Sequence, residues 1–155
     1  METIMLIWTA APDLKIKLTV LAILLQIVIT IWCYTQMSRA RVAAYKDGRT
    51  TPEIYKAVGD AEPEEIRVYT RLVANQFEMP VLFYALVITG LAINVTSWVT
   101  VLLAFLYVFF RFLHAREMMG EHVVFRRRKL FFHSTRVVLA IIAELAISTV
   151  LFIQG

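Results

Sequence analysis

Met79-Pro80-Val81-Leu82-Phe83-Tyr84-Ala85-Leu86-Val87-Ile88-Thr89-Gly90-Leu91-Ala92-Ile93-Asn94-Val95-Thr96-Ser97-Trp98-Val99-Thr100 opens a run without charge that ends only at Arg111. One helical crossing of a bilayer takes about 17–25 residues. The uncharged run Met79–Phe110 is too long for one crossing. A weak break lies between Gly90 and Ser97, where Asn94, Thr96 and Ser97 suit a turn. The stretch therefore predicts two antiparallel membrane helices joined by a tight turn.

Working outward, Leu18–Ser38 and Val137–Ala143 are also free of charge. Four helices are predicted: Lys15–Gln36, Arg67–Asn94, Ser97–Met118 and Lys129–Ile153. The fold class is an all-α, integral membrane four-helix bundle, read as a single domain over residues 1–155. Composition agrees. The chain has 155 residues, 59% hydrophobic and 18% charged, with a mean hydropathy of +0.68. A soluble domain has about 45–50% apolar and about 25% charged residues, and so short a chain has little interior in which to hide the excess. Disordered and collagen-like classes are excluded. One cysteine, Cys33, excludes an internal disulfide and a thiolate metal cage.

Lys15 and Lys17 precede the first apolar run, as in a secretory signal. That run exceeds the ~7–15 residues of a signal core and no A-x-A site follows, so it reads as a retained anchor. Fourteen of the sixteen basic residues lie in Arg39–Arg71 and Arg111–Arg136. The positive-inside rule then puts both regions in the cytoplasm and both termini outside. The basic excess reads as topology and as contact with anionic lipid. No aromatic-basic module points to nucleic acid. Short termini without a retrieval signal lean toward a bacterial inner membrane.

Between the first two helices, Gly48-Arg49-Thr50-Thr51-Pro52 signals a turn, and Pro52 is expected to open a short helix to Ala57. Asp60, Glu62, Glu64 and Glu65 suit the positive end of the next helix dipole.

Ionisable groups inside membrane helices cost at least about 2.5–3.5 kcal/mol each at the bilayer centre, so they face partners or wet cavities. Arg71, Asn75 and Glu78 are spaced i, i+4, i+7 and share one helical face, which Arg67 extends. Pro80 removes the bond to the Gln76 carbonyl and is expected to kink the turn holding Glu78. A freed carbonyl beside a carboxylate suits an ammonium. A structural pairing of Glu78 with a neighbouring arginine explains it equally well. Arg111 and His114 share a face at the same end of the next helix, so the two stripes meet. Arg126-Arg127-Arg128-Lys129 reads mainly as a positive-inside signal, with one or two of these cations free to turn inward beside Arg39, Arg41, Arg71 and Arg111. Guanidiniums, an amide and one carboxylate suit a small zwitterion with two carboxylates and one amine. Arginine forks take the carboxylates and Glu78 takes the amine. His114, His122 and His133 form no metal-binding spacing, and no metal is expected. Glu144 shares a face with the small residues Ala140 and Ser148. That face suggests close helix packing, and Glu144 is a candidate oligomer contact. Asn94-Val95-Thr96 is a formal glycosylation sequon in a turn too short to use.

These residues resemble the MAPEG family, membrane-associated proteins in eicosanoid and glutathione metabolism. The motifs are Arg71-x-x-x-Asn75-x-x-Glu78-x-Pro80, Arg111-x-x-His114 and Arg39-x-Arg41. The resemblance covers essentially the whole chain. It implies a homotrimer that binds glutathione between subunits on the cytoplasmic side, with a lipophilic electrophile or hydroperoxide entering from the membrane lipid. It implies Arg39, Arg71, Asn75, Glu78, Arg111 and His114 as the glutathione-binding set. Arg127 or Arg128 would lie near the sulfur, lowering the thiol pKa from about 8.5 as a cation at a helix start. Several enzymes of this family carry tyrosines where this chain has Met118 and Phe131. Three functional classes follow. The first is a glutathione-dependent transferase or peroxidase. The second is a non-catalytic lipid-binding or scaffold protein of the same fold. The third is a small transporter, for which four helices without an inverted repeat are few.

Overall fold

The computed structural model describes residues 2–55, 62–120 and 124–153. Helix α1 spans Glu2–Lys46, α2 Glu64–Ala74, α3 Met79–Ala92, α4 Trp98–Met119 and α5 Val124–Ile153. A 3-10 turn, Pro52–Tyr55, follows α1. It occupies the place of the short helix expected from Pro52, whose far end at Ala57 lies outside the described residues, as do Asp60 and His122.

Four helical segments are long and apolar enough to cross a membrane: Leu14–Lys46, Glu64–Ala92, Trp98–Met119 and Val124–Leu151. The protein is an all-α membrane bundle. The second crossing differs from its expectation. A continuous Arg67–Asn94 helix is replaced by α2 and α3, separated at 75–78. Pro80 is the reason. A proline inside a helix loses a backbone bond and clashes with the preceding turn, whereas in a first turn its missing N–H costs nothing. The chain therefore ends α2 at Ala74 and restarts with Glu78 as the residue before α3 and Pro80 in its first turn. The fourth helix also begins earlier than expected, so Arg126, Arg127, Arg128 and Lys129 stand within α5 instead of preceding it.

Helix α4 is the hub, packed against α5, α1 and α2, while α3 lies against α5 and α1. The Phe83 ring of α3 stacks on Tyr107 of α4, centroids 4.3 Å apart and planes 14° from parallel. Gly90 gives α3 its close approach to α5, because a Cβ there would lie 2.9 Å from Leu145 Cδ1. Large apolar side chains such as Val28, Ile31, Leu102, Phe109, Leu139 and Ile147 stay exposed on the outside. Lipid solvates such a face, and a helix crossing the bilayer satisfies its backbone internally.

Both ends of the bundle are latched by an acid. At the basic end the buried Glu62 receives the Arg41 guanidinium, Nη2 to Oε1 at 2.6 Å, and the Thr70 hydroxyl at 2.6 Å. This carboxylate ties α1 to α2, which is more than the dipole complement expected of it. Glu64 and Glu65 do sit in the first turn of α2. At the other end, Ser97 caps α4 and exchanges bonds with Thr100, and Asn94 takes φ 61° in the α3–α4 turn. Glu144 of α5 accepts from Ser97 Oγ at 2.5 Å, Thr100 Oγ1 at 2.8 Å and Ser148 Oγ at 3.2 Å. Its partners are thus in its own chain. Within the chain, Glu144 forms a clamp between α5 and the start of α4.

Glu144→Ala leaves these hydroxyls without their common acceptor and is expected to cost about 2 kcal/mol. A lower thermal unfolding midpoint in detergent checks this, with Glu144→Gln intermediate.

Candidate functional site

The gap between α2 and α3 carries the polar groups. Asn75 N–H still bonds the Arg71 carbonyl at 3.0 Å, and the next two amides make tighter turns to Val73 and Ala74. The Asn75 carbonyl turns out of the helix and accepts from Arg111 Nη2 at 2.6 Å. Arg111 is fully buried, and its Nε and Nη1 have no hydrogen-bond partner among the described residues. The Glu78 carboxylate and the Tyr107, Cys33 and Tyr84 side chains form its electrostatic surroundings. Next to it, Gln76 of the gap takes a 3.2 Å bond from Gln26 of α1 and donates to the Leu72 carbonyl at 3.3 Å. Sequence reading missed this glutamine pair. The signal was present, since Gln26 is an amide near the middle of the uncharged run Leu18–Ser38.

The gap opens on a cavity of about 390 Å³ lined by Arg71, Asn75, Glu78, His114, Met118, Arg127, Arg128 and Phe131, with Ala74, Val124 and Phe132 completing the wall. This volume is in the range of small-molecule sites. Six of the sequence-predicted residues therefore meet at one place: Arg71, Asn75, Glu78, His114, Arg127 and Arg128. Arg71 and Glu78 no longer share a continuous helix, yet the broken backbone keeps both on the cavity. Arg111 stands behind the wall, holding Asn75 by its carbonyl. Arg39 is exposed on α1 and does not line this cavity. Arg41 is occupied by Glu62 and Thr70.

The cavity has two characters. One side offers the cations of Arg71, Arg127 and Arg128 with the carboxylate of Glu78. Among the described residues Glu78 has no ion-pair partner within salt-bridge distance. The other side is apolar. The Asn75 amide donates to the Met118 sulfur at 3.5 Å, and the nearly buried His114 ring lies 5.8 Å from Phe131. Arg128 rests over the Phe132 ring one turn along the same helix, at 5.4 Å, a cation–π placement. Arg127 is in the first turn of that helix and Arg128 directly after it, where free backbone N–H groups also favour an anion.

The model of the MAPEG family matches residues 16–147. The chain belongs to the MAPEG family. The match reaches into all four crossings and includes every residue of the cavity. It makes this protein a membrane member of a family of eicosanoid and glutathione metabolism. No curated protein and no solved structure matches the chain with significance.

Arg111→Met is expected to free the Asn75 carbonyl and loosen the 75–78 gap. Backbone hydrogen exchange there should accelerate, and stability should fall by about 3 kcal/mol. Exchange measured by mass spectrometry on protein in detergent checks it.

Proposed function

We propose that this MAPEG protein is a membrane-bound, glutathione-dependent transferase or peroxidase acting on lipophilic electrophiles. The observation that carries the reading is one cavity lined by a single carboxylate and three guanidiniums. Glutathione carries one ammonium, two carboxylates and a thiol. Glu78 suits the ammonium, and the fork of Arg71 suits a carboxylate by paired charge-assisted bonds. Asn75 and His114 supply neutral polar contacts between them. Arg127 and Arg128 stabilise the sulfur as thiolate, each as a cation and together with the N-terminal end of α5.

The apolar wall of Met118, Phe131 and Phe132 is the proposed entry side for the second substrate, with the bilayer as its reservoir. In transfer, a sulfur–carbon bond forms, the leaving group departs with the electron pair of its bond, and the thiol proton goes to solvent. In the peroxidase reaction, two glutathione molecules supply two electrons. The O–O bond of a lipid hydroperoxide breaks, and an alcohol, water and glutathione disulfide result. Assembly as a homotrimer is part of this reading. Arg39, exposed on α1 and away from its own cavity, is then offered to the cavity of a neighbouring copy. Placing the basic ends in the cytoplasm gives the site access to soluble glutathione.

A second reading, a non-catalytic lipid-binding or scaffold member of the fold, is favoured by Met118 and Phe131. They leave the sulfur position without the phenolic hydroxyls that the family resemblance associates with catalysis.

Calorimetry in detergent tests binding, with Glu78→Ala and Arg71→Ala each expected to weaken it by about 100-fold or more. Binding close to wild type in both variants removes them from the site. Turnover with chlorodinitrobenzene or a lipid hydroperoxide then separates the readings: wild-type binding without either reaction selects the non-catalytic one. Arg127→Ala with Arg128→Ala is expected to slow turnover by about 100-fold while binding falls less.

A further inference from the structure

The α4–α5 hairpin has a second notch on its other side. Its volume is about 470 Å³, and it is lined by Leu113, Arg116, Glu117, Gly120, Arg126 and Leu130. On α4 and its C-terminal cap Gly120 these positions are spaced i, i+3, i+4 and i+7, and on α5 i and i+4, so each set forms one stripe. His114, Met118, Arg127 and Phe131 point to the first cavity, which makes the two hollows separate neighbours at similar depth.

The notch is graded along the membrane normal. Gly120, Glu117, Arg116 and Arg126 lie nearest the basic end of the bundle, where α4 stops and α5 starts. Leu113 and Leu130 lie about one turn deeper, toward the bilayer interior. A polar mouth over an apolar wall at the membrane–water boundary fits a lipid.

The charges at the mouth narrow the headgroup. Arg126 Nη1 stands 3.8 Å from Glu117 Oε2, long against the ~2.7–2.9 Å of a charge-assisted bond. The other oxygen, Glu117 Oε1, is shielded from solvent and has no donor among the described residues. Beside it lies the carbonyl end of α4, whose dipole favours a cation. A bare phosphate or an anionic headgroup satisfies the arginines and still brings Glu117 Oε1 no donor. A headgroup with both a phosphate and a primary ammonium satisfies both.

We infer that this notch is a binding site for an aminophospholipid of the phosphatidylethanolamine class. Arg116 and Arg126 hold the phosphate. Glu117 and the last carbonyls of α4 take the ammonium, and Leu113 and Leu130 lie along the acyl chains. The ammonium must be primary, since a choline headgroup has no N–H to donate.

The test is native mass spectrometry of the purified protein in detergent. Phosphatidylethanolamine, phosphatidylcholine and phosphatidylglycerol with identical chains are titrated in turn. The expected result is about tenfold tighter binding of the ethanolamine lipid than of the other two, equivalent to one charge-assisted bond. Glu117→Gln is expected to erase that preference and leave glutathione calorimetry unchanged. Leu130→Trp, which fills the notch and keeps every charge, is expected to weaken the ethanolamine lipid by a similar factor. Equal binding of the three lipids overturns the proposal. So does a preference for phosphatidylglycerol that Glu117→Gln leaves intact, which marks a simple anionic-lipid patch. Tight binding of soluble phosphoethanolamine without chains also overturns it.

Discussion

A guanidinium fully inside the bundle, Arg111, donates to a backbone carbonyl that no helix can use, that of Asn75. Each group would be costly alone. A buried cation without partners and an open carbonyl in a membrane both carry desolvation penalties of several kcal/mol. Together they turn two liabilities into a joint between α4 and the α2–α3 gap. The rest of the site follows from that joint. It fixes the plane of the Asn75 peptide, and the Asn75 side chain then reaches Met118. It keeps Glu78 at the head of α3, facing a hollow that a continuous helix would have filled with another turn.

The same economy recurs at the two ends of the bundle. Glu62 gathers Arg41 and Thr70 at one end, and Glu144 gathers Ser97, Thr100 and Ser148 at the other. Each carboxylate ties one helix to the next helix in the chain. Between these latches the contacts are apolar and shape-driven, as with Phe83 on Tyr107. Such a division suits a membrane protein. Hydrophobic transfer gives helices little reason to associate inside lipid, so a few polar contacts and close packing carry specificity.

Much of this was legible in the residues. Charge-free runs located the crossings, and the spacing of Arg71, Asn75 and Glu78 collected the cavity's polar side. Pro80 marked where the second crossing yields. It did not reveal that the helix ends and restarts, because i, i+4, i+7 spacing fits an intact helix equally well. Glu144 advertised a buried need without naming its partner. Ser97 looks like a simple turn residue until folding brings it across from α5, and no local pattern encodes a contact spanning that distance. Gln26 and Gln76 were passed over for a related reason: neutral amides leave no mark on a charge map. Arg39 shares the depth of the cavity's arginines and belongs to the motif, and the single chain leaves it on the outside.

The broken crossing also bears on how the chain is made. Its exposed carbonyl waits for a side chain that emerges from the ribosome 36 residues later. A segment carrying Arg71, Glu78 and an unpaired peptide is poorly suited to enter lipid by itself. The tight α3–α4 turn delivers the missing donor on the very next segment. The second and third crossings thus complete each other, a hairpin whose polar groups are matched in oil only when both of its arms are present.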